Sequence, residues 1–124
     1  MVRVSRQQFE RLVFKALEDL PPSIRQRMDN VDVVLRDWPS RADLDQAGLS
    51  EPHELFGLYQ GVPITERSQY DMALPDKITI FRRPLETACA SRQELVQEVR
   101  TTVIHELAHH FGISDAELEQ TDYR

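Results

Sequence analysis

The sequence that decides the fold runs His105-Glu-Leu-Ala-His109-His-Phe-Gly112-Ile-Ser-Asp115. Residues four apart lie on one face of a helix, so His105 and His109 can each offer a ring nitrogen to the same metal ion. Glu106 lies beside them, where a carboxylate can accept a proton from a metal-bound water. This spacing predicts a zinc centre of the kind that activates water for hydrolysis.

The glycine in this stretch predicts where a third ligand comes from. Gly112 can take the left-handed conformation at little cost, which ends the helix and lets the chain fold back. Asp115 can then approach the same metal from a second direction. Glu117 and Glu119 are alternative carboxylate ligands, but little chain remains to bring either of them back. We therefore predict one zinc ion per chain, bound by His105, His109 and Asp115.

The residues before the motif predict a helix long enough to anchor it. Ser91 and Glu94 have the spacing of a capping box at the start of a helix. From there to Gly112, apolar residues recur at steps of three and four, as expected of a helix with one face on a core. They are Leu95, Val96, Val99, Val103, Ile104, Leu107, Ala108 and Phe111.

The remainder of the chain contains both helical and strand patterns, which predicts an α+β fold. An amphipathic segment ends before Pro21-Pro22 and is followed by a short helical turn at 24–28. A short final helix is expected after the glycine stop. Three segments predict strands, and an acidic polar segment between the first two predicts a loop that can include one helical turn. The strands are Val31–Asp37, a short one within Leu55–Pro63, and Lys77–Arg82, whose charged ends suit a sheet edge; the loop is Ser40–His53.

Composition limits both the domain count and the class of partner. With 124 residues, 40% of them hydrophobic and 29% charged, we expect a single globular domain over 1–124. The net charge of -6 and the lack of a basic cluster argue against nucleic acid as the main partner. No apolar run has the length of a signal peptide or a membrane span, so a cytoplasmic location without membrane attachment is expected. Cys89 is the only cysteine, which excludes an intrachain disulfide and favours a small, half-buried side chain.

The chain resembles a known family in two stretches. One is the motif around His105, and the other is Gly57-Leu-Tyr-Gln-Gly-Val-Pro-Ile-Thr-Glu-Arg67. Both are similar to the bacterial mini-zincin group of the zincin-like metallopeptidases, and the similarity covers nearly the whole chain. The resemblance implies a mixed sheet of three or four strands packed on the active-site helix, with an edge strand beside the metal. It also implies peptide hydrolysis with Glu106 as general base.

The chain differs from larger zincins in the residues after the motif. Metzincins have a third histidine where Asp115 stands and then a methionine turn, whereas only nine residues (116 to 124) come after it here and none is methionine. We expect a cleft without a lower wall, suited to short or unfolded peptides or to a partner chain that completes it. The peptide is expected to bind extended along Lys77–Arg82.

Two other functions remain open at this point. A protein of zincin shape can bind zinc as a scaffold, with little or no peptidase activity. A non-haem iron enzyme also uses two histidines and one carboxylate, although it has no need of the base Glu106.

The remaining histidines and tyrosines carry weaker expectations. His110 lies around the helix from His109 and is expected to support the site or to lie at the surface, and His53 is expected in a loop. A tyrosine hydroxyl can stabilise a developing oxyanion. The candidates are Tyr59, Tyr70 and Tyr123, among which the sequence gives no preference.

Overall fold

The computed structural model describes residues 1–61 and 75–112 and confirms the α+β class. Asp115, Glu117, Glu119, Tyr70, Tyr123, the expected final helix and the end of the Gly57–Arg67 stretch all lie outside the described residues. The α-helices are α1 (Arg6–Glu18), α2 (Pro22–Gln26), α3 (Arg41–Ala47), α4 (Arg82–Ala88) and α5 (Arg92–Phe111). The strands are β1 (Val31–Arg36), β2 (Gly57–Gln60) and β3 (Asp76–Phe81), and a 3-10 turn spans Pro52–Glu54.

The three strands form one mixed sheet in the order β1-β3-β2. β1 runs parallel to β3 and β2 runs antiparallel to it. The prediction that Lys77–Arg82 is an edge strand is therefore wrong, because β3 lies in the middle and Arg82 already begins α4. The charged residues Lys77 and Arg82 lie near the two ends of β3, whereas Ile78 and Ile80 within the strand are fully buried.

The main core lies between one face of this sheet and two helices. α1 begins at Ser5, whose hydroxyl forms a capping box with Gln8, and it turns Phe9 and Val13 inward. These residues pack with the buried faces of α5 and β3 in a single apolar cluster. Packing on both α1 and the sheet holds α5 in place along its length.

On the opposite face of the sheet, α3 packs beside β2 and the end of β3, and it is a helix where a loop was expected. Ser40 and Asp43 form a capping box at its start, and Gly48 ends it with a φ of 72°. Leu44 of α3 joins a second, smaller apolar cluster with Leu55, Leu58 and Phe81. The loop predicted over Ser40–His53 allowed for one helical turn, whereas its first half forms a helix of seven residues whose cap and glycine stop are visible in the sequence.

The long helix α5 is confirmed with the expected ends. Ser91 accepts a hydrogen bond from the backbone N–H of Glu94, and Gly112 follows the last turn with a φ of 66°. Within residues 1–61 and 75–112, no helix is both long and apolar enough to cross a membrane.

Candidate metal centre

The motif residues lie on the last two turns of α5. Ile104 and Leu107, next to them in the helix, are buried in the main core, whereas His105 and His109 are exposed on the outer side. The core therefore fixes the orientation of the helix, and the two imidazoles lie one turn apart on one face. This arrangement leaves both rings accessible to a metal ion from solvent.

Glu106 is held at the edge of the sheet by the backbone of β2. The backbone N–H of Tyr59 donates a hydrogen bond of 2.9 Å to Oε1 of Glu106. Successive residues of a strand direct their N–H and C=O groups to opposite sides, and Tyr59 turns its N–H away from β3. Within the described part of the chain, the second oxygen, Oε2, has no hydrogen-bond partner.

The surroundings of Glu106 favour its protonated form relative to an exposed carboxyl. Burial between α5 and β2 is the largest effect and raises the pKa of Glu106 above its usual range. The hydrogen bond from Tyr59 and the nearby rings of His109 and His105 act in the opposite direction and only partly offset it. A carboxyl with a raised pKa is a better proton acceptor, which suits a general base.

A cleft of about 400 Å³ opens beside Glu106 and His109. Glu106, His109 and His110 line one side, together with β2. Apolar side chains from the end of α3 and the segment after it form the other side, namely Ala47, Leu49 and Leu55. The cleft therefore brings Glu106 and His109 next to an apolar wall, whereas His105 is not among its lining residues.

A second cluster next to the motif joins three parts of the fold. The hydroxyl of Tyr59 donates a hydrogen bond of 2.6 Å to Oδ2 of the buried Asp76, and the Tyr59 ring stacks on His110 with centroids 4.0 Å apart. Nε2 of His110 lies 3.7 Å from the same carboxylate. The cluster ties the end of α5 to β2 and to the start of β3. His110 therefore lies beside the motif, partly exposed and in contact with Tyr59, and its supporting role stays a prediction.

The roles of Tyr59 and Asp76 were not predicted from the sequence. Tyr59 was a candidate oxyanion donor, but its hydroxyl binds Asp76 and its backbone binds Glu106. Asp76 follows a proline and has the sequence appearance of a turn residue. The only sequence signal that pointed to Tyr59 was its position in Gly57–Arg67, the second stretch that resembles the family.

Two other predicted groups lie away from the motif. His53 lies on the 3-10 turn, where its ring forms a T-shaped pair with Trp38 at a centroid distance of 4.9 Å. Cys89 follows α4 and is buried, and burial raises the pKa of its thiol to about 11. Cys89 therefore remains a thiol at neutral pH and is no nucleophile.

The donor set suits zinc, although the described residues do not complete it. Across residues 1–61 and 75–112, no group of three or more His, Cys, Asp or Glu residues is positioned to hold a metal. His105 and His109 supply two imidazoles, and the predicted third ligand, Asp115, lies outside these ranges. Two imidazoles with one carboxylate match the ligands that catalytic zinc prefers.

Comparison with known protein families gives a match over most of the chain. The family model described as zincin-like metallopeptidase matches residues 28–124. This segment includes the whole sheet and α5, and it leaves out α1 and α2, which both end before residue 28. Such a family implies zinc binding in general. The search of curated proteins gave no significant match.

Proposed function

Because the chain belongs to the zincin-like metallopeptidase family, we propose that it hydrolyses peptide bonds with zinc and with Glu106 as general base. The metal ligands in this proposal are His105, His109 and Asp115. The observation that carries the proposal is the placement of Glu106 in the cleft beside His109, with one carboxylate oxygen fixed by the backbone of β2.

The chain's own groups take separate roles in this reaction. His105 and His109 supply two neutral nitrogen ligands from a helix that the core holds in place. Zinc, when bound, polarises water and the scissile carbonyl. Glu106 accepts the proton from water through its second oxygen, while Tyr59 N–H keeps the first oxygen in place. Glu106 then passes the proton to the leaving amine, so one carboxylate acts first as base and then as acid.

The substrate class proposed is a short or unfolded peptide bound in an extended conformation. β2 replaces Lys77–Arg82 as the strand beside it, since β2 lines the cleft with Glu106 and His109 and β3 lies in the middle of the sheet. An extended backbone beside a strand is recognised through main-chain hydrogen bonds, which depend little on side chains.

The experiment compares the wild-type protein with Glu106→Gln, and both are loaded with zinc. Glutamine keeps the shape and can still accept the Tyr59 hydrogen bond, but it cannot accept a proton. We expect both proteins to bind one zinc ion and only the wild type to digest a library of short peptides. Turnover by Glu106→Gln would refute the mechanism, and loss of its zinc would make Glu106 a ligand.

Metal analysis of ligand variants separates the remaining alternatives. His105→Ala and His109→Ala should each lose zinc, and Asp115→Ala should lose it while Glu117→Ala and Glu119→Ala retain it. Stoichiometric zinc without turnover of any library peptide would instead identify a zinc-binding scaffold. Preferential binding of iron would point to an oxygenase.

A further inference from the structure

The second outer strand of the sheet, β1, presents an edge away from the candidate metal centre. Asp76 N–H donates to the C=O of Asn30, so Asn30 and every second residue after it direct their backbone towards β3. Val33 and Leu35 consequently direct their N–H and C=O groups outward. In the ranges 1–61 and 75–112, no strand pairs with this side of β1.

An apolar groove of about 680 Å³ runs along this edge, between α1 and β1. Val13, Phe14 and Leu17 line it from the helix and Val33 and Leu35 from the strand, and the polar residues Gln7, Glu10 and Arg11 of α1 complete its lining. Phe14 is 63% exposed. Proteins usually shield a long strand edge that has apolar side chains beside it, because such an edge readily pairs with another strand.

The other face of β1 carries two exposed charges of opposite sign. Asp32 and Arg36 lie four residues apart, with Val34 between them, on the face away from α1. Neither forms an ion pair with any residue that the structure describes. A strand that carries Asp and Arg symmetrically about a central residue is complementary in charge to an antiparallel copy of itself.

We propose that the protein forms a symmetric dimer through antiparallel pairing of β1 with β1 of a second copy, centred on Val34. In that register Val33 faces Leu35 of the second copy, and both have outward backbone groups that can exchange hydrogen bonds. Asp32 faces Arg36 of the second copy at a position where side chains approach closely, and twofold symmetry repeats the pair.

Backbone geometry and charge together select this register over its neighbours. Two facing residues that exchange hydrogen bonds must both direct their backbone groups outward, as Val33 and Leu35 do. The twofold axis can therefore pass only through a residue of β1 and not between two residues, so neighbouring registers differ by one residue in the position of the axis. Centring on Val33 would place Asp32 opposite Val34 and Arg36 opposite Asn30, which satisfies neither charge. Only the register centred on Val34 pairs Asp32 with Arg36.

The groove favours a second copy of the chain over a lone peptide as the partner of β1. Stable interfaces bury about 1,200–2,000 Å² in total, which is more than one short paired strand supplies. A second copy brings its own α1 to the same side of the joined sheet. The apolar residues around Phe14 of both copies would then be covered together.

The test mixes two charge variants of the full chain, Asp32→Arg and Arg36→Asp. Each variant alone places like charges opposite each other at both positions of the dimer. An equimolar mixture restores both attractive pairs, because the guanidinium introduced at position 32 of one variant then faces the carboxylate introduced at position 36 of the other. Sedimentation velocity would measure association for the wild type, each variant and the mixture, with circular dichroism to confirm that each variant is folded.

We expect a wild-type dimer, a dissociation constant raised by about tenfold or more in each single variant, and recovery in the mixture. Phe14→Ser should also weaken the dimer by exposing the groove to water. A wild-type protein that is monomeric at about 100 µM would overturn the proposal. So would single variants that dimerise like the wild type, or a mixture no stronger than its components.

Discussion

Gly57 of β2 lies so close to Thr102 of α5 that a Cβ atom on residue 57 would be 2.6 Å from Thr102 Cγ2. The same Cβ would lie 3.2 Å from the backbone oxygen of Thr79. The absence of a side chain at Gly57 therefore lets β2 approach α5 closely enough for Tyr59 N–H to reach Glu106. This glycine is required for space and not for an unusual backbone conformation.

Gly57→Ala should separate β2 from α5 and weaken the hold on Glu106. We expect a loss of about 1–3 kcal/mol in the free energy of unfolding, typical of overpacking in a core. Peptide hydrolysis should fall as well. Urea unfolding and the library digest would measure both. Adding Thr102→Ser removes Cγ2 and should recover part of each loss, and wild-type stability in Gly57→Ala would contradict the close approach.

Tyr59→Phe tests the cluster that joins the end of α5 to the sheet. The substitution removes the donor to the buried Asp76 but keeps the ring on His110 and the backbone bond to Glu106. We expect a loss of about 1–3 kcal/mol in stability, the usual cost of removing one partner of a buried polar pair.

Zinc stoichiometry should be unchanged in Tyr59→Phe, since no metal ligand is altered. Asp76→Asn is the matched variant, because it keeps an acceptor for the Tyr59 hydroxyl and should cost less stability. Complete loss of zinc from a folded Tyr59→Phe would contradict a supporting role for this cluster.

Local patterns predicted the parts of the fold that depend on neighbouring residues in the chain. The Ser91 cap, the apolar repeat and the Gly112 stop defined α5 and the relative positions of His105 and His109. Each of these features acts within one or two helical turns, so sequence spacing alone is sufficient.

Contacts between distant segments were not predictable in this way. The strand predicted over residues 77–82 is confirmed as far as Phe81, but it was assigned to the sheet edge, because the pattern of one strand does not identify its neighbours. The Tyr59 bond to Glu106 spans 47 residues and uses a backbone N–H that every residue type except proline possesses. Such a bond has no sequence pattern of its own.

Cys89 gives the protein a measurable pH dependence. Burial is the main cause that raises its pKa to about 11, and the carboxylates of Glu98 and Glu94 add to the effect. The unfolded chain therefore releases the thiol proton at lower pH than the folded chain. Stability from this group is complete below the ordinary thiol pKa and is lost progressively as the pH rises towards about 11.

Thiol labelling would measure this protection directly. In the native protein at pH 8 to 9, we expect Cys89 to react far more slowly than a free thiol, and to react at the ordinary rate in urea. Cys89→Ser is the control for non-specific labelling. Rapid stoichiometric labelling of the folded protein at neutral pH would contradict the burial of this thiol.

The apolar wall of the cleft predicts a preference at the subsite next to the scissile bond. Leu49 is partly buried and faces the cleft opposite Glu106 and His109, so an apolar substrate side chain can be desolvated against it. Leu49→Glu should lower kcat/KM for peptides with an apolar residue there by about tenfold, and should lower it less for peptides with a basic residue. Leu49→Met conserves the volume and should leave both values near wild type. Equal losses for both peptide classes in a folded, zinc-loaded Leu49→Glu protein would show that this wall does not contact the substrate.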